Sequence, residues 1–184
     1  MNRYKLTIWQ NQSLAHAKAL VPGKPPEPWL HCYTVSAAGI FAGGWTKDEN
    51  FIMLSPDGYS EHDPLTGDCL IFDRDVDAMY DNLDAHERYF SIPSQSEKVD
   101  LFGIKSRDGI HVIDDWGLSV IYPRWPNATV ILRKGSSDNW DNVYALDTGV
   151  CDPGNWIKCG FAPSGKSFVI LGHAGAEFFS RNAS

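Results

Sequence analysis

The stretch Asn50-Phe51-Ile52-Met53-Leu54-Ser55-Pro56-Asp57-Gly58-Tyr59 reads as an apolar strand, a tight turn and the start of a second strand. Pro56 fixes φ near the value needed at the first central turn position. Gly58 accepts a positive φ without a Cβ clash. Asp-Gly between apolar runs is a strong short-range hairpin signal, and the β-branched and aromatic flanks suit a pleated, half-buried surface. The same pattern returns at 101–113, around Arg107-Asp108-Gly109, and at 159–170, around Pro163-Ser164-Gly165. The turn glycines 58, 109 and 165 lie 51 and 56 residues apart. A recurring unit of roughly 50 residues predicts stacked or radially repeated β modules.

Ser55-Pro56-Asp57-Gly58, with Asp63-Pro64-Leu65-Thr66-Gly67 after it, resembles the blade hairpins of TolB-like and WD40-like β-propellers. In those blades a turn of this type joins two strands. A closed propeller needs at least about four blades of ~40–50 residues, and 184 residues hold three and a fraction. The expectation is therefore a mainly β fold over 1–184 as a single domain. It consists of antiparallel sheets with propeller-like or sandwich-like hairpin repeats and one acidic amphipathic helix.

With 43% hydrophobic residues, seven Trp, seven Tyr and nine Phe, the chain can build one respectable core. No run approaches membrane-spanning length. The N-terminal Met-Asn-Arg-Tyr-Lys-Leu-Thr-Ile-Trp has no long apolar run after its positive residues, so no secretory leader is expected. Cys32, Cys69, Cys151 and Cys159 are then read as reduced thiols of a cytoplasmic protein.

The net charge of −7 is unevenly spread. From Lys47 to Arg88 there are twelve acidic and three basic residues, a net of −9, while the rest of the chain is +2. Phosphate recognition needs Lys and Arg, so nucleic acid is disfavoured as a partner of this segment. A basic protein is favoured.

In chain order, residues 3–9 alternate Tyr4, Leu6 and Ile8 with polar residues and predict a strand. Ser13 to Leu20 predicts a short helix with Ser13 as its cap. The proline-rich 22–28 is a stiff connector. Strands are predicted at 30–36, 38–45 and 69–72. Asp75 to Phe90 predicts the longer helix, with Val76, Met79, Tyr80, Leu83 and Phe90 near one face and Asp73 or Asp75 at its start. Further strands are predicted at 98–104, 110–113, 117–122, 128–133, 142–147, 156–161 and 167–171.

Four patterns carry candidate chemistry. Gly160-Phe161-Ala162-Pro163-Ser164-Gly165-Lys166-Ser167 matches the phosphate-binding P-loop. The β-branched run after it is a poor first helical turn, so a third hairpin turn is the simpler reading. Asp73, Asp75, Asp77, Asp81 and Asp84 fit five positions of a calcium loop, but Ala78 stands where that loop requires Gly. Acids in a first helical turn explain them without a metal. Cys151, Cys159 and His173 have weak zinc spacing, and buried thiols are the default. His62-Asp63, and His111 beside Asp114 and Asp115, are the best acid–base candidates for a small hydrolase, although triads are recognised by geometry rather than inventory.

The leading functional expectation is a non-enzymatic protein-binding module without metal or cofactor. It is physically similar to bacterial immunity proteins that neutralise basic toxins. Its partner surface is expected on 57–88, through Tyr59, Asp73, Asp75, Asp77, Tyr80, Asp81, Asp84 and Glu87, with Tyr89 as a further aromatic. The alternatives are a small His/Asp hydrolase and a nucleotide-binding protein acting through 160–167.

Overall fold

The computed structural model describes residues 5–93, 95–135, 140–150, 154 and 156–181. Within them the chain is mainly β. The Pro56-Asp57 turn joins β3 (Phe51–Ser55) to β4 (Gly58–His62), with Ser55 opposite Gly58. Gly58 has φ 116°, and a Cβ there would lie 2.0 Å from the Asp73 carbonyl oxygen. Glycine is therefore required both by the backbone angle and by the neighbouring strand. On either side lie β2 (Ala42–Trp45) and β5 (Cys69–Asp73); β8 (Phe102–Gly103) completes a five-stranded antiparallel sheet in the order β5-β4-β3-β2-β8.

A two-stranded sheet pairs β6 (Tyr89–Ser91) with β7 (Lys98–Asp100). A four-stranded meander comes next: β9 (Val112–Ile113), β10 (Trp116–Arg124), β11 (Asn127–Lys134) and β12 (Val143–Leu146). The last sheet contains β13 (Ile157–Phe161), β14 (Ser167–Gly172) and β15 (Gly175–Arg181). Its fourth member is the first strand of the chain, β1 (Trp29–Ser36), which pairs antiparallel with β15 from Trp29 opposite Arg181 to Ser36 opposite Gly175.

The β13–β15 sheet is the middle layer, and β14 shows why. All six of its residues are buried, as expected of an unbroken apolar strand covered on both faces. Phe168 and Ile170 enter a core with Trp116, Leu118, Val130 and Leu132 of the β9–β12 sheet. Val169 and Leu171 enter another with Phe51, Met53 and Phe102 of the β2–β5 sheet. That sheet in turn places Ile52, Leu54 and Tyr59 against Phe90, Val99 and Met79, forming a third core. Four sheets are thus stacked in series through three apolar interfaces. Among the described residues no helix is long and apolar enough to cross a membrane.

The expected hairpins at 51–62 and 156–171 are present. The one expected at 101–113 is not. β8 pairs with β2, and β9 pairs with β10. Gly109 makes no hairpin turn. A Cβ on it would lie 2.6 Å from the Cys159 carbonyl oxygen, and Ile110 bridges to Phe161, whose N–H donates to the Ile110 carbonyl at 2.8 Å. This glycine lets the crossing segment lie against β13. The hairpin of that region is β10–β11, where Arg124 stands opposite Asn127.

Two helical expectations also change. The helix expected from Ser13 is present but starts earlier, as α1 (Ile8–Ala19), and takes in residues 8 and 9 of the expected strand. The cap is Thr7, not Ser13. Thr7 Oγ1 accepts the Gln10 N–H at 3.2 Å, and Gln10 Oε1 accepts the Thr7 N–H at 2.8 Å, a reciprocal capping box. Among the described residues no layer covers the Leu6/Ile8 alternation, and these two are 48% and 80% exposed. The predicted helix 75–90 is cut to α2 (Val76–Asp81). Asn82 Nδ2 donates to the Ala78 carbonyl at 2.8 Å, and the Asp84 carboxylate accepts the backbone N–H groups of Arg88 and Tyr89. Short polar side chains compete for the backbone there and turn the chain into β6.

Candidate functional site

β5 is the outer strand of its sheet, with no strand beyond it among the described residues. An edge strand presents backbone N–H and C=O groups that can pair with an added chain. Leu70 and Phe72 are 50% and 55% exposed. Phe72 stands opposite Ser60 across the ladder, and the Arg74 guanidinium lies 5.0 Å from its ring centre. Leu65, in the turn leading to β5, is also exposed.

Carboxylates border this strand on both sides in the chain. Asp68 precedes it and accepts from the Thr66 hydroxyl at 3.0 Å. Asp73 ends it, and its Oδ1 accepts the Asp75 N–H at 2.9 Å. Asp75 caps α2 through the Ala78 N–H at 2.9 Å. Asp77 and Asp81 are exposed on α2. Among the described residues no ion pair involves Asp57, Asp68, Asp73, Asp75, Asp77 or Asp81. Asp84 and Glu87 are different, being paired with Arg88 at 3.4 Å and Lys105 at 2.7 Å.

The tyrosines divide. Tyr80 is 51% exposed, its ring parallel to Phe41 at 6.5 Å. Tyr59 is only 4% exposed and packs on Phe90 at 5.0 Å, so it belongs to the core and not to the surface. Tyr89 sits among cations: Lys98 lies 4.0 Å from its ring centre, and Arg107 donates to its hydroxyl at 2.9 Å. Glu61, also part of the acidic segment, is buried and accepts from Asn50 Nδ2 at 2.8 Å.

The acid–base pairs do not assemble as dyads. His62 is buried, with Nε2 3.0 Å from Ser60 Oγ. Asp63 instead takes the N–H groups of Leu65 and Thr66. Burial pushes the His62 pKa down, against an opposing pull from the Gly67 carbonyl. His111 Nδ1 lies 2.7 Å from the Leu118 carbonyl oxygen, while Asp114 pairs with Arg181 at 3.0 Å.

At 160–167 the chain runs strand, turn, strand: β14 begins at Ser167, where a P-loop would begin its helix. Cys159 is fully buried, and burial, reinforced by Asp108, pushes its pKa up to about 12. Cys151 lies outside the described residues. Comparison with family models, with characterised proteins and with solved structures found no match to this chain.

Proposed function

We propose that this chain is a non-enzymatic, cytoplasmic protein-binding module that takes a basic partner on 57–88, in the manner of an immunity protein that neutralises a basic toxin. One observation carries the reading: an open edge strand with two half-exposed apolar side chains, bordered by carboxylates that lack ion-pair partners among the described residues. An added strand would pair with β5 through main-chain hydrogen bonds, the usual logic of strand addition. Leu70 and Phe72 would supply buried anchors. The surplus negative charge would draw in a basic segment and reject acidic ones. Three meander sheets, the last completed by the N-terminal strand, support a propeller-like description of the scaffold.

The test uses the whole chain as bait in native lysate, with partners identified by mass spectrometry and rebound as purified proteins. The wild type is compared with Phe72→Lys and with Asp73, Asp75 and Asp77 changed together to Asn. A basic partner held by the wild type and weakened at least about tenfold by each change is expected, since a lost anchor costs more than about 1.4 kcal/mol. Equal retention of the same partners by all three proteins would remove the edge from consideration.

A further inference from the structure

A cavity of about 750 Å³ opens between β1, β15 and the segments 23–25 and 147–149. None of its lining residues belongs to the β5 edge, so its role is independent of the partner reading. Two of its lining residues have buried polar atoms with no hydrogen-bond partner among the described residues. Glu177 is 6% exposed; its Oε1 accepts the Gly149 N–H at 2.7 Å, and its Oε2 has no hydrogen-bond partner among the described residues. Trp29 is fully buried, and its indole N–H likewise has no partner among them. A buried polar group left unmatched is costly, so native structures retain few of them without a reason.

The position of Glu177 is unusual in sequence as well as in space. It is a lone acid in Gly175-Ala176-Glu177-Phe178-Phe179. The ladder sets it opposite Thr34 and sets Phe179 opposite His31. His31 packs edge-on to Phe179 at 5.2 Å, and its Nε2 lies 3.0 Å from Thr34 Oγ1. The cavity therefore has the exposed side chains of Leu30 and His31, a buried carboxylate, and a second carboxylate, Asp147, among its lining residues; Lys24 also lines it.

We infer that this cavity binds an organic cation with an apolar stem, an alkylamine or alkylguanidine. The charged head would pair with Glu177 through a charge-assisted hydrogen bond. The stem would lie along the lining residues Pro25 and Leu30, because the Trp29 ring is fully buried and already holds the Arg181 guanidinium 4.9 Å from its centre. A free small molecule and the arginine or lysine side chain of a polypeptide share this chemistry.

Nuclear magnetic resonance of the full chain tests it, following the Trp29 indole N–H signal. The probes are butylguanidinium, its neutral counterpart butylurea, and N-acetylarginine amide. Saturable shifts with butylguanidinium below about 10 mM are expected. Butylurea should bind at least about tenfold more weakly, as should butylguanidinium to Glu177→Gln, whose side-chain oxygen can still accept from Gly149. Gly23→Leu adds a branched side chain to a lining residue, at a position where an added Cβ meets no atom within 4 Å. It should abolish binding without disturbing Glu177. Comparable affinity for N-acetylarginine amide would identify a site for a protein side chain, and its exclusion a site for a free cation. The inference fails if no saturable shift occurs, if butylurea binds equally well, or if Gly23→Leu binds like wild type.

Discussion

At the scale of single residues, burial sets measurable chemistry. The ordinary His pKa of 6.5 is lowered at His62 by burial. Below pH 6.5 the unfolded chain takes up a proton that the folded chain resists. Stability from this residue is thus complete above 6.5 and is lost as pH falls toward the folded value. Urea midpoints measured at about pH 5 should fall below those at about pH 7.5, and the difference should shrink in His62→Gln. An unchanged pH dependence in that variant would rule the residue out as the source. The thiols give a second case. Cys69 is exposed, whereas Cys159 is buried with its pKa pushed up to about 12. Since the thiolate is the reactive form, native alkylation at about pH 8 should label Cys69 first and reach Cys159 only on unfolding. Mass mapping of the labelled peptides would show otherwise if both react together. Burial also separates Tyr59 from its sequence context. It looks like a surface aromatic because its neighbours in sequence are acids, but the register opposite Leu54 points it into the core.

At the scale of elements, legibility depends on locality. The hairpins 51–62 and 156–171 can be read because their turn residues act within a few positions. The segment around Gly109 carries a similar signature, yet its glycine answers to a strand some fifty residues away. The apolar stripe over 75–90 overstates the helix, because it says nothing about Asn82 and Asp84 capturing backbone groups. The outer strand β5 is recognisable as a strand, but its being an edge is not, since that depends on what fails to pair beside it. Glu177 leaves one trace, an acid inside an apolar run. Depth can be tested on β14. Phe168→Ala removes a ring stacked 4.4 Å from Phe179 and should cost about 3–5 kcal/mol in urea unfolding. Asp77→Asn, on an exposed helical position, should stay within about 0.5 kcal/mol. Similar losses for both would contradict the layered core.

At the scale of the whole molecule, the uneven charge is legible from composition alone, and the fold redistributes it. Glu61 is buried, Asp84 and Glu87 are paired, and carboxylates without ion pairs among the described residues flank β5. If a basic partner docks there, its association rate should fall steeply as ionic strength rises from about 0.05 M to 0.5 M, while dissociation changes little. A salt-independent rate by stopped flow would mean that the charge serves only to keep the chain dispersed. The serial stacking of four sheets is not legible, because it rests on which face of each strand meets which neighbour.

The pairing of β1 with β15 also has a consequence in time. On the ribosome β1 is made well before β15, its partner. The middle layer of the stack therefore cannot be completed until residue 181 has emerged. Contacts this distant in sequence make folding slow, and until then the apolar face of Trp29 lacks its cover and is exposed to aggregation. Removing 175–181 should consequently abolish more than one strand: the newborn chain should remain a chaperone client. A permutant that begins at Gly135 and joins the old ends through a flexible linker, placing β1 soon after β15, should fold faster than the natural order.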